Sequence, residues 1–306
     1  MRFIHIADMH IDSPFTVLSQ QEELGDLRRL EQRKIFNKII EYIKKEKINY
    51  LFISGDLYEH QYVRKSSIDY INNLFKTIPE TKIFISPGNH DPFLKSSYYN
   101  NFNWNDNVYI FDSEIKIHEF EDAHIYGFGF NDFYCRESKI EEIKIKNKNK
   151  LNILIAHGEL NASKNAEMPY NPLNENKLKE IGFDYIALGH IHKQAINGNI
   201  VYPGSCIAFG FDELGEHGML DVELEKNKLE IKFIKLDEME FIEKNIDISE
   251  INTEEELIEK ISNQKFEENN LKGYFIREIL DIKNGSNYTE DEINKAIEIG
   301  LQLLQN

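Results

Sequence analysis

Short apolar segments alternate with polar turns over the first two thirds of the chain. Five of these segments have the length of buried strands, and each is followed at once by Asp, Gly or His, or by a short polar turn. Two longer segments, Leu24–Ile43 and Ile68–Ile78, carry apolar residues at a spacing near 3.6 and are predicted helices. The alternation of strands and helices predicts an α/β layered fold with buried, largely parallel strands. The predicted strands are Phe3–Ala7, Tyr50–Ile53, Ile83–Ile85, Ile153–Ala156 and Tyr185–Leu188.

The polar residues after the five strands point to one shared site. In parallel α/β sheets, ligands bind beyond the carboxyl ends of the strands, where several loops converge. A single Asp-x-His or Gly-Asp pair is more often an ordinary turn than a ligand, but five such clusters at successive strand ends argue against that reading. The clusters are Asp8-x-His10, Gly55-Asp56, Gly88-Asn89-His90-Asp91, His157-Gly158 and Gly189-His190-x-His192.

These clusters supply oxygen and imidazole donors without a thiolate. Such a donor set suits a hard or borderline divalent cation: Mn²⁺, Mg²⁺, Fe or Zn²⁺. Seven candidate donors exceed what one four-coordinate ion needs and fit two ions that share a carboxylate, an arrangement suited to in-line displacement at phosphorus. Asp56 is the predicted bridge because it is central in the order of clusters. The seven candidates are Asp8, His10, Asp56, Asn89, His157, His190 and His192.

In order and spacing, the same motifs resemble the signature of the calcineurin-like metallophosphoesterase superfamily, over roughly residues 1–235. The resemblance implies a four-layer α-β-β-α sandwich and makes His90 the catalytic residue. It also implies two metal sites that share Asp56. Asp8, His10, Asp56 and His192 would hold one ion, and Asp56, Asn89, His157 and His190 would hold the other.

Three longer stretches, residues 6–15, 184–192 and 202–205, resemble the DNA-repair exonuclease branch of SbcD/YhaO-like nuclease subunits. This narrower resemblance implies a manganese-favouring phosphodiesterase that hydrolyses DNA as an exonuclease or endonuclease. It further implies an SbcC-like coiled-coil ATPase as partner and, often, a homodimer. Relatives of this branch usually extend further than Asn306, so we expect either a truncated chain or a short form.

Four residues near the motifs have open assignments. Parts of the superfamily have a nucleotide-positioning histidine three residues after the bridging Asp, where this chain has Glu59 followed by His60. His60 either takes over that role or does not. Asp91 either orients neighbouring groups or caps the next turn. Arg64 either contacts a substrate phosphate or is an ordinary solvated charge.

The charge balance restricts how DNA could bind. The formal net charge is −17, which argues against one broad basic surface. Any DNA contact is therefore expected to be local to the metal cleft. Residues 237–306 carry 18 Asp/Glu against 7 Lys/Arg. This shift in charge predicts a boundary after Leu236, between a metallophosphoesterase domain over 1–236 and a second domain over 237–306. The sequence pattern of the second domain predicts a helix from Thr253 to Ile261, a strand from Tyr274 to Leu280 and a helix from Thr289 to Leu304. This arrangement resembles the small α+β C-terminal cap of SbcD-like nucleases.

Cys135 and Cys206 are the only cysteines, and the chain shows neither a signal peptide nor an apolar run of membrane-spanning length. These features predict a cytoplasmic protein without membrane contact. Two alternatives to DNA hydrolysis stay open: an enzyme for a small phosphodiester or phosphomonoester, and a non-catalytic binding scaffold. The scaffold is disfavoured because all seven donor positions and His90 are filled.

Overall fold

The computed structural model describes residues 1–15, 22–163, 167, 169–247, 253, 256, 259–260 and 273–281. The five strands and two helices predicted for the first two thirds of the chain are all present. The helices are α1 Glu22–Glu46, α2 Lys65–Lys76, α3 Tyr98–Asn101 and α4 Glu175–Ile181, with a short 3-10 helix at Lys139–Glu142. The strands are β1 Arg2–Ile6, β2 Tyr50–Ile53, β3 Lys82–Ile85, β4 Val108–Ile110, β5 Lys116–Glu119, β6 Ala123–Gly127, β7 Leu151–His157, β8 Tyr185–Gly189, β9 Ala195–Asn197, β10 Ile200–Tyr202, β11 Gly218–Glu225, β12 Lys228–Lys235, β13 Met239–Asp247 and β14 Gly273–Asp281.

Twelve of these strands form two six-stranded sheets. The first has the order β12-β11-β1-β2-β3-β4 and the second the order β5-β6-β7-β8-β10-β9. The central strands of both sheets are parallel, as predicted. The four strands from Ala195 to Lys235 are divided between the sheets. β10 pairs parallel with the open edge of β8 and antiparallel with β9, whereas the β11–β12 hairpin extends the first sheet beside β1.

The two sheets pack face to face because successive side chains of a strand point to opposite faces. Phe3 and Phe52 of the first sheet pack between the sheets with Ile155 and Tyr185 of the second. The ring centroids of Phe3 and Tyr185 are 5.0 Å apart, in an edge-to-face arrangement. This inner layer is a continuous apolar core.

Helices cover the outer faces. Ile4 and Leu51 of the first sheet pack in one core cluster with Phe36 of α1 and with residues of α2. Leu154 of the second sheet packs with Leu178 of α4. Both faces of the central strands are thus buried, which is why these strands read as continuous apolar runs rather than alternating ones. The predicted four-layer α-β-β-α sandwich is confirmed.

A row of hydrogen-bonded polar groups crosses the inner core. Ser54 Oγ donates a hydrogen bond to the carbonyl oxygen of Ala187, at 3.1 Å. Ser54 Oγ therefore accepts from Nε2–H of His5, at 3.0 Å, and Nδ1 of His5 accepts from the Tyr185 hydroxyl, at 2.9 Å. Burial lowers the pKa of His5 to about 3, so the ring is neutral. Each of these polar groups has a hydrogen-bond partner, and the row of hydrogen bonds links the two sheets beneath the strand ends.

The described residues divide into two compact units. The first comprises Met1–Phe209 and Glu216–Asp237, and the second comprises Gly210–Gly215 and the described residues from Glu238 onward. The chain thus leaves the first unit after Phe209 and again after Asp237.

A buried ion pair, Arg28–Asp237, lies next to both points at which the chain leaves the first unit. The Arg28 guanidinium donates to both carboxylate oxygens of Asp237, at 3.0 and 2.7 Å, and to the carbonyl oxygen of Ala208, at 2.8 Å. Asp237 in turn accepts from the Ala208 N–H, at 3.0 Å. Arg28 and Asp237 are almost fully buried. Removing one partner of such a pair would leave an uncompensated buried charge, so the pair is a strong local constraint.

In the second unit, β13 and β14 pair in parallel over nine residue pairs. β14 matches the strand predicted from Tyr274 to Leu280, whereas β13 is not among the sequence-based predictions. Thr253 and Glu256 exchange the two hydrogen bonds of a capping box, at 3.2 and 3.3 Å, at the start of the predicted helix. The helix predicted from Thr289 to Leu304 lies outside the described residues. Among the described helices, none combines the length and apolar character needed to cross a bilayer.

Candidate metal centre

The loops that follow β1 and β2 are joined by backbone hydrogen bonds, which bring the first candidate metal ligands together. The N–H of Asp8 donates to the carbonyl oxygen of Gly55, at 3.1 Å, and the N–H of His10 donates to that of Asp56, at 2.8 Å. Asp8, His10, Asp56 and His190 all have positive φ, at 51°, 46°, 52° and 105°. Non-glycine residues adopt this conformation at a cost of about 1–3 kcal/mol each, and such residues cluster at functional sites.

Asp8, His10 and His192 form one group of potential metal ligands. Each offers one ligand atom, and these atoms all lie within 4.8 Å of one another. Nε2 of His10 and Nε2 of His192 are 3.1 Å apart. Nδ1 of His10 is 2.8 Å from Oε1 of Glu59, and a carboxylate can only accept, so Nδ1 carries the proton. Nε2 of His10 is therefore left with its lone pair, as a metal ligand requires.

Asp8, Asp56 and His157 form a second group, within the same distance limit. Nδ1 of His157 donates to the carbonyl oxygen of Ser54, at 2.8 Å. Nε2 of His157 then faces Oδ1 of Asn89, at 3.0 Å, and Oδ2 of Asp56, at 3.3 Å. Although burial works against it, the Asp56 carboxylate raises the pKa of His157 to about 9. Positive charge is therefore favoured at this point, supplied by a proton or by a metal cation.

Asp56 lies between the two groups. Its Oδ2 is 3.3 Å from Nε2 of His157 and 3.8 Å from Nε2 of His10, while its Oδ1 accepts from the N–H of His90, at 2.8 Å. Despite burial, His157 lowers the pKa of Asp56, so this carboxylate is ionised. A central carboxylate flanked by imidazole nitrogens and an amide oxygen fits two divalent cations, and the predicted donors are chemically suited to hold them.

His190 differs from the other six candidates. Its ring packs against those of His157 and Tyr170, with centroids 5.3 and 4.8 Å apart. Its N–H donates to both carboxylate oxygens of Asp8, at 3.1 Å. Among the groups found in the described part of the chain, none includes the His190 side chain. Its backbone thus orients Asp8, and its assignment as a ligand stays a prediction.

The glycines of the motifs are sterically required. A Cβ on Gly88 would lie 2.2 Å from Oδ1 of Asp56, and one on Gly55 would lie 2.1 Å from Nδ1 of His157. A Cβ on Gly189 would lie 1.9 Å from the Ser54 carbonyl oxygen that orients His157. The donor side chains therefore occupy space that exists only because these positions lack a side chain.

Glu59 connects the metal donors to the predicted catalytic residue. Its Oε1 accepts from His10, and its Oε2 accepts from Nδ1 of His90, at 3.0 Å. Although partial burial opposes it, this carboxylate raises the pKa of His90 to about 9. The two histidines, acting against burial, lower the pKa of Glu59 to about 2. Because Glu59 holds Nδ1 of His90, Nε2 is the atom left for a substrate; the His90 side chain is 45% exposed.

Asp91 is fully buried and accepts four hydrogen bonds. Oδ1 accepts from the N–H groups of Gly88, at 2.7 Å, and Asp56, at 3.1 Å. Oδ2 accepts from the N–H of Leu57, at 2.7 Å, and the hydroxyl of Tyr99, at 2.6 Å. Asp91 therefore fixes the loops after β2 and β3 relative to each other, which exceeds the role of a turn cap.

The remaining two predicted residues lie to the side of the donors. The N–H of His60 donates to the carbonyl oxygen of His90, at 2.9 Å, and its ring lies 6.0 Å from that of Phe133. The side chain of Glu59, rather than that of His60, thus contacts the rings of the site histidines. Arg64 is exposed at the start of α2, where its N–H is 3.4 Å from a carboxylate oxygen of Asp12.

Two aromatic residues beside the donors have no motif that would reveal them. Phe209 contacts the rings of His10 and His192, with centroids 5.2 and 5.6 Å apart, and Tyr170 contacts His190. Both residues come from loops far along the chain from the donors that they touch. The only sequence signal is their aromatic character.

A sandwich of two sheets with candidate metal ligands at the carboxyl ends of its parallel strands fits the class of metal-dependent phosphoesterases. The family model for calcineurin-like phosphoesterases matches residues 1–194. The chain belongs to this family, and the predicted resemblance is confirmed.

Three relatives are similar over most of the chain. The "Uncharacterized metallophosphoesterase YhaO" of Bacillus subtilis is 26% identical over 263 residues, which are 82% of this chain and 64% of the relative. The SbcD subunit of the SbcCD nuclease of Staphylococcus epidermidis is 27% identical over 270 residues, 75% of this chain and 67% of the relative. Its counterpart in Staphylococcus saprophyticus is 26% identical over 296 residues, 85% and 74% of the two chains. The chain thus spans about two thirds to three quarters of the length of these relatives.

Proposed function

We propose that this chain is a two-metal phosphodiesterase that hydrolyses DNA, with Mn²⁺ as the favoured cation. The observation that carries the proposal is the position of Asp56, whose Oδ2 lies 3.3 Å from Nε2 of His157 and 3.8 Å from Nε2 of His10. One carboxylate oxygen at the junction of two donor groups suits a pair of ions acting on one phosphate. The DNA substrate is supported by the similarity to relatives named as nuclease subunits.

Each donor has a proposed place. Two bound divalent ions would supply a water of lowered pKa and would offset the charge of the phosphate oxygens. Asp56 would be a ligand of both ions. One ion would be held by Asp8, His10, Asp56 and His192, and the other by Asp56, Asn89, His157 and His190.

His90 is the proposed general acid. Glu59 accepts from its Nδ1, which fixes the ring and leaves Nε2–H to face the phosphate. As the bond between phosphorus and the leaving oxygen breaks, the Nε2 proton passes to that oxygen, and the imidazole becomes neutral. Glu59 stabilises the charged imidazole before this transfer. Its other oxygen holds His10, so one residue sets the distance between the acid and a metal donor.

The wider assignments follow the nuclease proposal. Residues 237–306 would be a cap that restricts which DNA reaches the ions, and Arg64 would contact a phosphate next to the cleaved bond. An SbcC-like coiled-coil ATPase is the proposed partner, with a homodimer as the proposed assembly and the cytoplasm as the compartment. The net charge of −17 makes help from a partner important for DNA binding.

A nuclease assay tests the proposal. Duplex and hairpin DNA labelled at the 5′ or 3′ end is incubated with Mn²⁺ and the wild type, His90→Asn or His118→Asn. Loss of a positioned general acid typically lowers the rate by about 10²–10⁴. We therefore expect His90→Asn to lose this factor while it retains two metal ions per chain by elemental analysis. His118, on β5, contacts none of the donors in the described structure and is the matched histidine control.

Bis-p-nitrophenyl phosphate and phosphomonoesters are assayed in parallel. Hydrolysis of these small esters without cleavage of any labelled DNA would replace the nuclease proposal by an enzyme for small phosphoesters. Absence of all hydrolysis by a chain that holds two ions would favour the binding scaffold.

A further inference from the structure

A row of aromatic residues borders the candidate metal centre along the loop that follows β6. Phe130 contacts the ring of His157, with centroids 5.6 Å apart. Four residues on, the ring of Tyr134 lies 6.2 Å from that of Tyr170. Tyr170 in turn packs against His190, at 4.8 Å. The two tyrosines thus extend outward from the histidines at the ends of β7 and β8.

Backbone pairing fixes these tyrosines in place. Cys135, which follows Tyr134, donates from its N–H to Pro169 and accepts from the N–H of Asn171, at 2.9 and 2.7 Å. Tyr134 and Tyr170 are therefore on two segments that are bonded to each other. The Asn171 side chain also donates to the carbonyl oxygen of His157, at 2.6 Å, which ties this pair of segments to a metal donor.

Tyr134 is exposed despite this ordered setting. Its exposed fraction is 48%, and only Tyr62, at 53%, is a comparably exposed tyrosine among the described residues. An exposed aromatic ring held beside a phosphate-cleaving centre offers a flat surface to a nucleobase. Stacking is also a source of affinity that needs no basic residues, which suits a chain of net charge −17.

We propose that Tyr134 and Tyr170 form a stacking subsite for the base of the nucleotide whose phosphodiester is hydrolysed. The inference rests on the proposed function. A base can stack on a side chain only when it is unpaired, so the substrate class is DNA with an unpaired nucleotide at the cleaved bond. The subsite is independent of base identity, because every base presents a π-face.

The test compares an intact single-stranded oligonucleotide with one that lacks the base at the cleaved position, using the full chain with Mn²⁺. Loss of one base–aromatic stack corresponds to roughly a tenfold weaker interaction. We expect Tyr134→Ala to raise KM about tenfold for the intact strand, with kcat within about twofold, and to leave KM for the abasic strand unchanged. Tyr134→Phe keeps the ring and should behave as the wild type. Tyr62→Ala is the control for loss of an exposed tyrosine.

A binding readout separates this inference from the proposed function. A strand with 2-aminopurine at the same position is titrated into His90→Asn, with and without Tyr134→Ala, and its fluorescence quenching reports stacking. Equal quenching in both proteins, or an equal KM increase on intact and abasic strands, would overturn the subsite. So would an equal loss in Tyr62→Ala. Tyr134-dependent quenching without any DNA cleavage by the wild type would leave the subsite standing and refute the nuclease activity.

Discussion

Replacing Asp91 by Asn changes one oxygen of a buried carboxylate into an amide nitrogen and leaves the shape of the side chain intact. The four hydrogen bonds of Asp91 are divided two to each oxygen. Whichever oxygen is replaced by the amide nitrogen, two hydrogen-bond donors lose their acceptor and face the N–H groups of the Asn side chain instead. These donors are either the N–H groups of Asp56 and Gly88, or the N–H of Leu57 and the hydroxyl of Tyr99.

The magnitude follows from this count. A hydrogen bond to a charged group contributes about 1.5–3 kcal/mol, so two lost bonds cost about 3–6 kcal/mol of unfolding free energy. Asp91 is completely buried, so water does not replace the lost acceptor. When the Asp56 and Gly88 donors are the ones affected, the loop that orients the Asp56 carboxylate also relaxes. We therefore expect weaker metal binding together with the loss of stability.

Urea unfolding of wild type and Asp91→Asn, each without metal and with Mn²⁺, measures both effects. Asp69→Asn is the matched control, because the Asp69 side chain is partly exposed and pairs with Lys65 on the surface of α2. That change should stay within about 0.5 kcal/mol of the wild type. If Asp91→Asn lowers the unfolding free energy by less than about 1 kcal/mol, the reasoning is refuted and Asp91 has only the role of a turn cap.

Two further predictions use contacts outside the reacting atoms. Gly88→Ala places a Cβ 2.2 Å from Oδ1 of Asp56, so we expect fewer than two metal ions per chain by elemental analysis. Gly25→Ala in α1 should retain both ions, because a Cβ there would lie in ordinary van der Waals contact with the Arg29 side chain, at 3.7 Å. Full occupancy in Gly88→Ala would contradict the steric argument. Although burial acts to raise the pKa of Asp221, the hydrogen bond from Arg2 lowers it below the unfolded value of 3.8. The stability that this carboxylate contributes is therefore fully present above pH 3.8 and is lost as the pH falls through the folded pKa. The difference in unfolding free energy between wild type and Asp221→Asn should therefore be largest near pH 7 and shrink below pH 4, and a constant difference would contradict the linkage.

The parallel strands and the convergence of polar residues at their ends could be predicted because both depend on local pattern. Tyr50–Ile53 is buried on both faces, so it reads as an uninterrupted apolar run. The polar residues after such strands converge because parallel strands end at one edge of a sheet. Position within the strand order was therefore enough to single out Asp56 as the bridging candidate.

Other features depend on tertiary contacts that sequence spacing does not encode. β10 and β11 are consecutive strands along the chain but join different sheets, because their partners are the open edges of β8 and β1. Glu59 contacts two histidines at once only because the loops after β1 and β3 both meet it. Tyr170 carries no motif, and its relevance comes from its contact with His190.

The positive φ values of Asp8, His10 and Asp56 have a consequence for how this centre can vary. Glycine and asparagine adopt such a backbone with less strain than most residues, so either could relieve local strain of about 1–3 kcal/mol at each position. The same replacements would remove a charged or imidazole donor. Selection for stability and selection for metal binding therefore act in opposite directions at these three residues. A chain freed from its catalytic role would be expected to lose its donors here first, and to fold better for it.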